Sequence, residues 1–302
     1  MSQIITARVI KSTGSWYHVI DKNNNVTKCR LRGKFRVKGI KSTNPVAVGD
    51  MIDFESDTGI IIHIHERKNH IIRKATNLSK QTHIIAANID QAIIIVSLAK
   101  PRTSTGFIDR FLITAEAYHI PAVIVFNKID LLDEELELSL SNIISVYERA
   151  GYKCLRTSAK ELININQFSE ILHNKISLLA GHSGVGKSAL INCVDPNLDL
   201  RTGEISDYHS KGTHTTTFAE MFSLKSGGFI IDSPGIKEFG LIEFDKPELG
   251  DRFPEFRRYI NNCKYNDCLH INEPGCAVIE AVENEKISLL RYNNYLNILD
   301  SI

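Results

Sequence analysis

The sequence predicts a multidomain α/β chain in three parts: an N-terminal β-barrel over 1–72, a central parallel sheet with helices on both faces over 73–240, and a cysteine-bearing C-terminal domain with helices over 241–302. Three observations carry this prediction. Short strand-like runs broken by turn signals fill the first part, strands alternate with helices in the second, and Cys263, Cys268 and Cys276 crowd together in the third. A chain of 302 residues suits two or three cores, and 43% hydrophobic with 24% charged residues is ordinary globular composition. The N-terminus "MSQIITARVIKSTG" has no apolar leader, and the longest apolar run, "AIIIVSLA" at 92–99, is too short to span a bilayer. A cytoplasmic, membrane-free protein is expected, and nothing requires more than a monomer.

In the first part, "ITARVIKS", "WYHVID", "VTKCRLRGKFRV", "VGDMIDFE" and "GIIIHIHE" are strand-length and separated by turns such as "KNNN", a spacing that suggests a small barrel. The run "KCRLRGKFRVK" alternates strictly. Lys28, Arg30, Arg32, Lys34, Arg36 and Lys38 share one face, and Cys29, Leu31, Gly33, Phe35 and Val37 share the other. Six bases in register without an acid favour contact with a nucleic-acid backbone over a merely solvated face, because mixed signs would serve solubility without self-repulsion. Trp16, Tyr17 and Phe35 are either stacking surfaces or barrel core. The net charge of +1 hides the asymmetry: residues 1–74 hold 14 Lys+Arg against 6 Asp+Glu, and the remainder 22 against 29.

The segment "RKATNLSKQTHIIAAN" at 73–88 reads as a polar join. Beyond it, "QAIIIVSLA", "AVIVF", "KCLRTSA" and "ISLLAG" read as strands, with helices in "FIDRFLITAEAYHI", "DEELELSLSNIISVYERA" and "INQFSEILHN" between them. That alternation argues a parallel sheet covered on both faces. One further helix is expected over 277–299.

The strand "ISLLA" feeds "GHSGVGKS", the strand-loop-helix setting of a phosphate loop. Gly181, Gly184 and Gly186 let the N–H groups of the loop, with His182, Ser183, Val185 and Ala189 in the same turn, curl around phosphates. Lys187 would reach the outer phosphate oxygens and the Ser188 hydroxyl would ligate Mg²⁺. "GGFIIDSPG" ends a strand in Asp232, suited to holding Mg²⁺ through water, with Gly235 near the γ-phosphate. One of Thr215, Thr216 or Thr217 in "KGTHTTTF" would bind the same metal.

The base is read by "NKID" at 127–130 and "TSAK" at 157–160, each after a strand. The Asp130 carboxylate can accept from both N1–H and N2–H₂ of guanine, whereas adenine offers neither donor, so a buried Asp130 rejects it. Asn127 would face the N7/O6 side, the Lys128 stem would cover one base face, and Ser158, Ala159 and Lys160 would cap the base. Together they indicate GTP rather than ATP.

These motifs resemble the five motifs of the translation-factor-like GTPases in rotated order, as in the circularly permuted GTPases. With the flanking parts, the sequence resembles the small-subunit ribosome biogenesis GTPase family called RsgA or YjeQ over essentially its whole length. The resemblance implies an OB-fold RNA-binding barrel, a permuted GTPase and a C-terminal zinc-binding domain. It also implies docking on the small ribosomal subunit and its rRNA during late maturation, with GTP favouring binding and hydrolysis favouring release. The rival reading is a GTP-dependent RNA-binding switch or scaffold on another ribonucleoprotein particle.

The rotated order sends the segment after "DSPG" directly into the C-terminal domain, which makes that domain a natural lever for nucleotide state. Within it, "CKYNDCLHINEPGC" offers Cys263, Cys268, His270 and Cys276, three sulfurs and one imidazole with no open position, and their spacing matches the family's structural zinc site. Cys154 and Cys193 lack such neighbours and are expected in the core. The residue after Gly235 is Ile236, which cannot orient water, so intrinsic hydrolysis should be slow. The resemblance implies His214 as the catalytic residue. Thr213 stands where the family commonly has a base, and Gly184 stands where some relatives use Asn to hold K⁺, which argues against potassium activation.

Overall fold

The computed structural model describes residues 3–31, 45–74, 82–200, 219–232 and 245–302. Strands β1 (Ile4–Ser12), β2 (Tyr17–Asp21), β3 (Val26–Leu31), β4 (Met51–Glu55) and β5 (Ile60–Ile64) form the barrel. Their order is β1-β2-β3-β5-β4, closed by β4 on β1, with β3 and β5 parallel and the other pairs antiparallel. Alternate side chains fill it: Ala7, Val9, Tyr17, Val19, Cys29, Ile52, Phe54 and Ile61 are all buried together. Tyr17 is therefore core, and Trp16 lies on the outside.

The segment expected as a polar join contains structure. β6 (His70–Lys74) and β7 (Thr82–Ala87) form an antiparallel ribbon, and Val48 bridges to Ala86. The short apolar runs Ile71–Ile72 and Ile84–Ala87 are masked in the sequence by the polar residues between them, and the side chains of Ile71 and Ala86 enter the main core. The 72/73 division falls inside β6.

The central sheet runs β10 (Lys153–Arg156), β9 (Ala122–Phe126), β8 (Gln91–Val96), β11 (Ile176–Ala180), β13 (Phe229–Asp232), β12 (Glu220–Ser223). All neighbours are parallel except β12, which is antiparallel to β13. β8 is buried along its whole length and splits its side chains by parity. Ala92, Ile94 and Val96 pack under α1 (Thr105–Ala117) and α2 (Glu134–Arg149), whereas Ile93 and Ile95 pack under α3 (Ile165–Leu172) and α4 (Lys187–Val194). The helices start where their caps dictate: Ser104 accepts from the Phe107 N–H, and Asp133 from the Leu136 N–H.

The barrel and sheet are continuous, because Lys11 of β1 pairs with Glu220 of β12. The C-terminal domain holds α5 (Lys246–Leu249), α6 (Ala277–Glu283) and α7 (Leu289–Asp300). The single helix expected over 277–299 is thus two. Glu285 adopts a left-handed φ of 56°, and the N–H groups of Lys286 and Ile287 both return to the Ala281 carbonyl. This reversal drives Ile287 into the domain's core beside Phe253, Phe256, Val278 and Tyr295. Among the described residues no helix is long and apolar enough to cross a membrane.

Candidate nucleotide site and metal centre

The loops that leave β8, β9, β10 and β11 lie at the carboxyl edge of the parallel sheet, where open α/β sheets bind ligands. The phosphate loop begins as β11 ends. Gly181, at φ 137°, packs so closely on β8 that a Cβ would stand 2.2 Å from the Ile95 carbonyl oxygen. Gly186, at φ 98°, opens α4, and a Cβ there would stand 2.3 Å from the Asn127 amide nitrogen. Lys187 folds back over the loop, its ammonium donating to the carbonyls of Gly181 (2.7 Å) and His182 (2.9 Å). Val185 is buried, as is Ser188 in the first turn of α4, while Ser183 and Gly184 are exposed. Ala189 continues the helix.

Asn127 fastens three loops together. It is buried at the end of β9, and its amide N–H donates to the Val185 carbonyl at 2.8 Å. Its Oδ1 accepts from the Thr157 hydroxyl (3.2 Å) and the Ala159 N–H (3.3 Å). The base loops are thereby tied to the phosphate loop by one side chain. Lys128 takes a left-handed φ of 65° and donates from Nζ to the Lys100 carbonyl at 2.7 Å. Asp130 accepts from the Ser158 hydroxyl, and that hydroxyl accepts from the Glu161 N–H at 3.0 Å. Lys160 stays at the surface beside Glu161.

Several contributors were not singled out from the sequence. Lys100 supports Lys128, and Pro101 lies where a Cβ on Gly184 would reach it at 3.6 Å. The ring of Phe107 stacks on His182 with centroids 3.9 Å apart. Partial burial, and then the Lys187 charge, lower the His182 pKa. Cys193, half-buried rather than core, donates from Sγ to the Ala159 carbonyl at 3.5 Å. Cys154 is also half-buried, and burial pushes its thiol up to about 12. The signal available for 100–107 was its position at the end of β8, the same edge as every other loop of the site.

Asp232 closes β13, its backbone opposite Glu220 of β12. His214, Thr213, Thr215, Thr216, Thr217, Gly235, Ile236 and the segment entering the C-terminal domain lie outside the described residues, as do Arg32, Lys34, Arg36 and Lys38. On β3, Lys28 and Arg30 are exposed and Cys29 is buried, as the alternation requires. Both cations lie over the Trp16 ring, at 4.4 Å and 5.9 Å from its centroid.

Cys263, Cys268, His270 and Cys276 bring their ligand atoms within 4.8 Å of one another. His270 Nδ1 lies 3.6 Å from the Cys263 sulfur and 3.3 Å from the Cys276 sulfur, and those sulfurs are 4.0 Å apart. Ligands about 2.3 Å from a tetrahedral Zn²⁺ stand at about such separations, so the set fits zinc. Burial, and then the neighbouring sulfurs, push the Cys268 thiol up to about 12, a penalty on the thiolate that a divalent cation relieves. The loop is held from outside: Tyr292 and Tyr295 donate to the carbonyls of His270 and Leu269, each at 2.7 Å. The Glu273 carboxylate accepts from the N–H groups of Leu269, Ile271 and Asn272.

Residues 6–61 match the RsgA N-terminal domain, and residues 64–242 match the RsgA GTPase. The chain belongs to the RsgA GTPase family. The small ribosomal subunit biogenesis GTPase RsgA of Flavobacterium johnsoniae is 50% identical over 302 residues, covering 98% of this chain and 93% of that protein. That of Christiangramia forsetii is 51% identical over 298 residues, covering 97% and 95%. YjeQ from Thermotoga maritima superposes with a TM-score of 0.81 at 33% identity, covering 99% of this chain and 98% of that one. YloQ, a circularly permuted GTPase, gives 0.77 at 30% identity, covering 99% and 95%. Membership fixes the fold as a barrel followed by a permuted GTPase, and the activity as that of a GTP hydrolase. The permuted order is visible in the sheet, where the base loops after β9 and β10 precede the phosphate loop after β11.

Proposed function

We propose that the chain is a GTPase that binds the small ribosomal subunit and its rRNA late in maturation, and that hydrolysis of GTP to GDP and phosphate drives its release. The observation that carries this reading is the three-way fastening by Asn127, which joins the phosphate loop to both base loops. In this reading Asp130, oriented by Ser158, accepts from guanine. Lys128 lies along the base, and Ser158, Ala159 and Lys160 close its edge. Residues 181–189 receive the phosphates, for which Lys187 must exchange its carbonyl partners for phosphate oxygens. A Mg²⁺ bound with GTP would draw on Ser188, Asp232 and Thr215 or Thr216 and supply charge neutralisation at the phosphates. His214 positions the attacking water, since Ile236 cannot. Gly235 lies at the γ-phosphate.

The three functional units are the RNA-binding barrel over 1–72, the GTPase over 73–240 and the zinc domain over 241–302. One structural zinc held by Cys263, Cys268, His270 and Cys276 maintains the last. Lys28, Arg30, Arg32, Lys34, Arg36 and Lys38 face the rRNA backbone, and Trp16 adds an aromatic surface between the first two. The chain acts as a cytoplasmic monomer.

The test is steady-state GTP hydrolysis by the protein alone, with purified small subunits and with purified large subunits. Stimulation by small subunits only, lost in His214→Ala, is expected. Equal stimulation by both subunits, or none, overturns the assignment of the partner.

A further inference from the structure

The C-terminal domain grips one face of α1 along most of its length. Asn294 of α7 lies beside Gly106, its Oδ1 3.8 Å from where a Cβ would stand, and its Nδ2 donates to Asp109 Oδ2 at 2.6 Å. Arg291, wholly buried, donates to Asp109 Oδ1 and makes two bonds to Glu255, at 2.6 Å and 3.1 Å. Arg110 donates to the Ser301 hydroxyl at 2.8 Å, and Ile113 joins the C-terminal core. Burial opposes the Arg291 charge, but Asp109 and Glu255 outweigh it and raise its pKa well above the ordinary guanidinium value.

The first turn of α1 faces the nucleotide site. Phe107 carries the stacked ring of His182, whose carbonyl is one of the two that hold Lys187. The loop leading into α1 supplies the Lys100 carbonyl to Lys128 and the Pro101 ring to the surroundings of Gly184. A helix of thirteen residues between two close-packed partners moves as a body, so its placement by α7 is also its placement against the phosphate loop.

We propose that Phe107 is a positioning residue for the phosphate loop and that α7, through Asn294 and Arg291 on Asp109, sets its place, so that the C-terminal domain reaches the nucleotide site by way of α1. This route is separate from the chain connection that follows Asp232. It rests on the reading of 181–189 as the phosphate site.

Removing Arg291 would strand two buried carboxylates, so the test uses milder changes: Phe107→Leu, Asn294→Ala and both together, with Phe107→Tyr as the conservative control. GDP affinity of the full-length protein is measured for each by calorimetry. Phe107→Leu is expected to weaken binding about fivefold, the order of one aromatic pair, and Phe107→Tyr to restore it. Asn294→Ala is expected to weaken binding about threefold alone and to add almost nothing in the Phe107→Leu background, because residues acting through one another are not additive. Independent, multiplying effects, or no effect of either single change, overturn the proposal.

A second readout needs no nucleotide. The His182 ring proton resonance, assigned with His182→Gln, is shifted by the Phe107 ring current and should move toward its unstacked position in Asn294→Ala. An unmoved resonance overturns the route. A wild-type protein that fails to prefer GDP over ADP, with the resonance moving as expected, refutes the nucleotide reading instead.

Discussion

The barrel and the C-terminal domain are attached to the same central sheet by different physics. The barrel joins through backbone. β1 pairs with β12, Val48 bridges to Ala86, and Gly49 approaches Ala87 so closely that a Cβ would stand 2.0 Å from its carbonyl oxygen. The C-terminal domain joins through side chains, with the Arg291 guanidinium shared by Asp109 and Glu255 and lying over Phe253 at 4.6 Å. This backbone joint asks for side-chain identity chiefly at Gly49, where any Cβ would clash, and otherwise rests on main-chain pairing that carries the barrel on the edge of the sheet. A side-chain joint is concentrated in a few groups, and one substitution can release it.

The largest effect expected from this difference is on the metal centre, which lies wholly on the side-chain side. Removing zinc with a chelator, or Cys276→Ser, should unfold the C-terminal domain and leave the barrel and GTPase folded, because structural zinc supplies on the order of 10 kcal/mol in small domains. Limited proteolysis confined to residues beyond 245 checks it. Cleavage throughout the chain would show that the domains unfold as one.

Arg291→Met comes next. It leaves Asp109 and Glu255 buried without their partner and should cost about 3–5 kcal/mol in chemical denaturation. At the barrel joint the corresponding ion pair is Lys11 with Glu220, and both side chains are about two-fifths exposed. Lys11→Ala should therefore cost about 0–1 kcal/mol. Equal losses for the two variants would break the distinction between the joints. Arg67→Met, which uncovers the buried Asp50 carboxylate within the barrel, should resemble Arg291→Met in size.

Much of this was legible in the sequence because it rests on periodicity and on spacing. The alternation that put Cys29 inside and Lys28 and Arg30 outside is local, and so is the strand-loop-helix grammar around Gly181 and Ser188. The β6–β7 ribbon was not legible, since its apolar residues are interrupted by polar ones and acquire meaning only against the sheet. The split between α6 and α7 turned on one non-glycine residue, Glu285, in a left-handed conformation. Phe107, Lys100 and Cys193 joined the site through contacts between segments far apart in the chain, which no single motif records.

A further effect concerns the outer face of the barrel. Trp16→Ala should weaken binding of single-stranded rRNA fragments by about 1–3 kcal/mol, the loss of one base stack. Lys28→Ala should weaken binding across sequences and reduce the salt slope by about one. A salt slope unchanged in Lys28→Ala would remove this strand from the RNA contact.

The central claim is that loops separated by the permuted order meet in one guanine-reading site, and Asp130→Asn tests it most directly. The amide replaces a pure acceptor with a donor and acceptor, which suits xanthine, whose second carbonyl stands where guanine has its amino group. Competition between GDP and xanthosine diphosphate should reverse in the variant by about 10²-fold or more. An unchanged preference for GDP would contradict the placement of the base at Asp130.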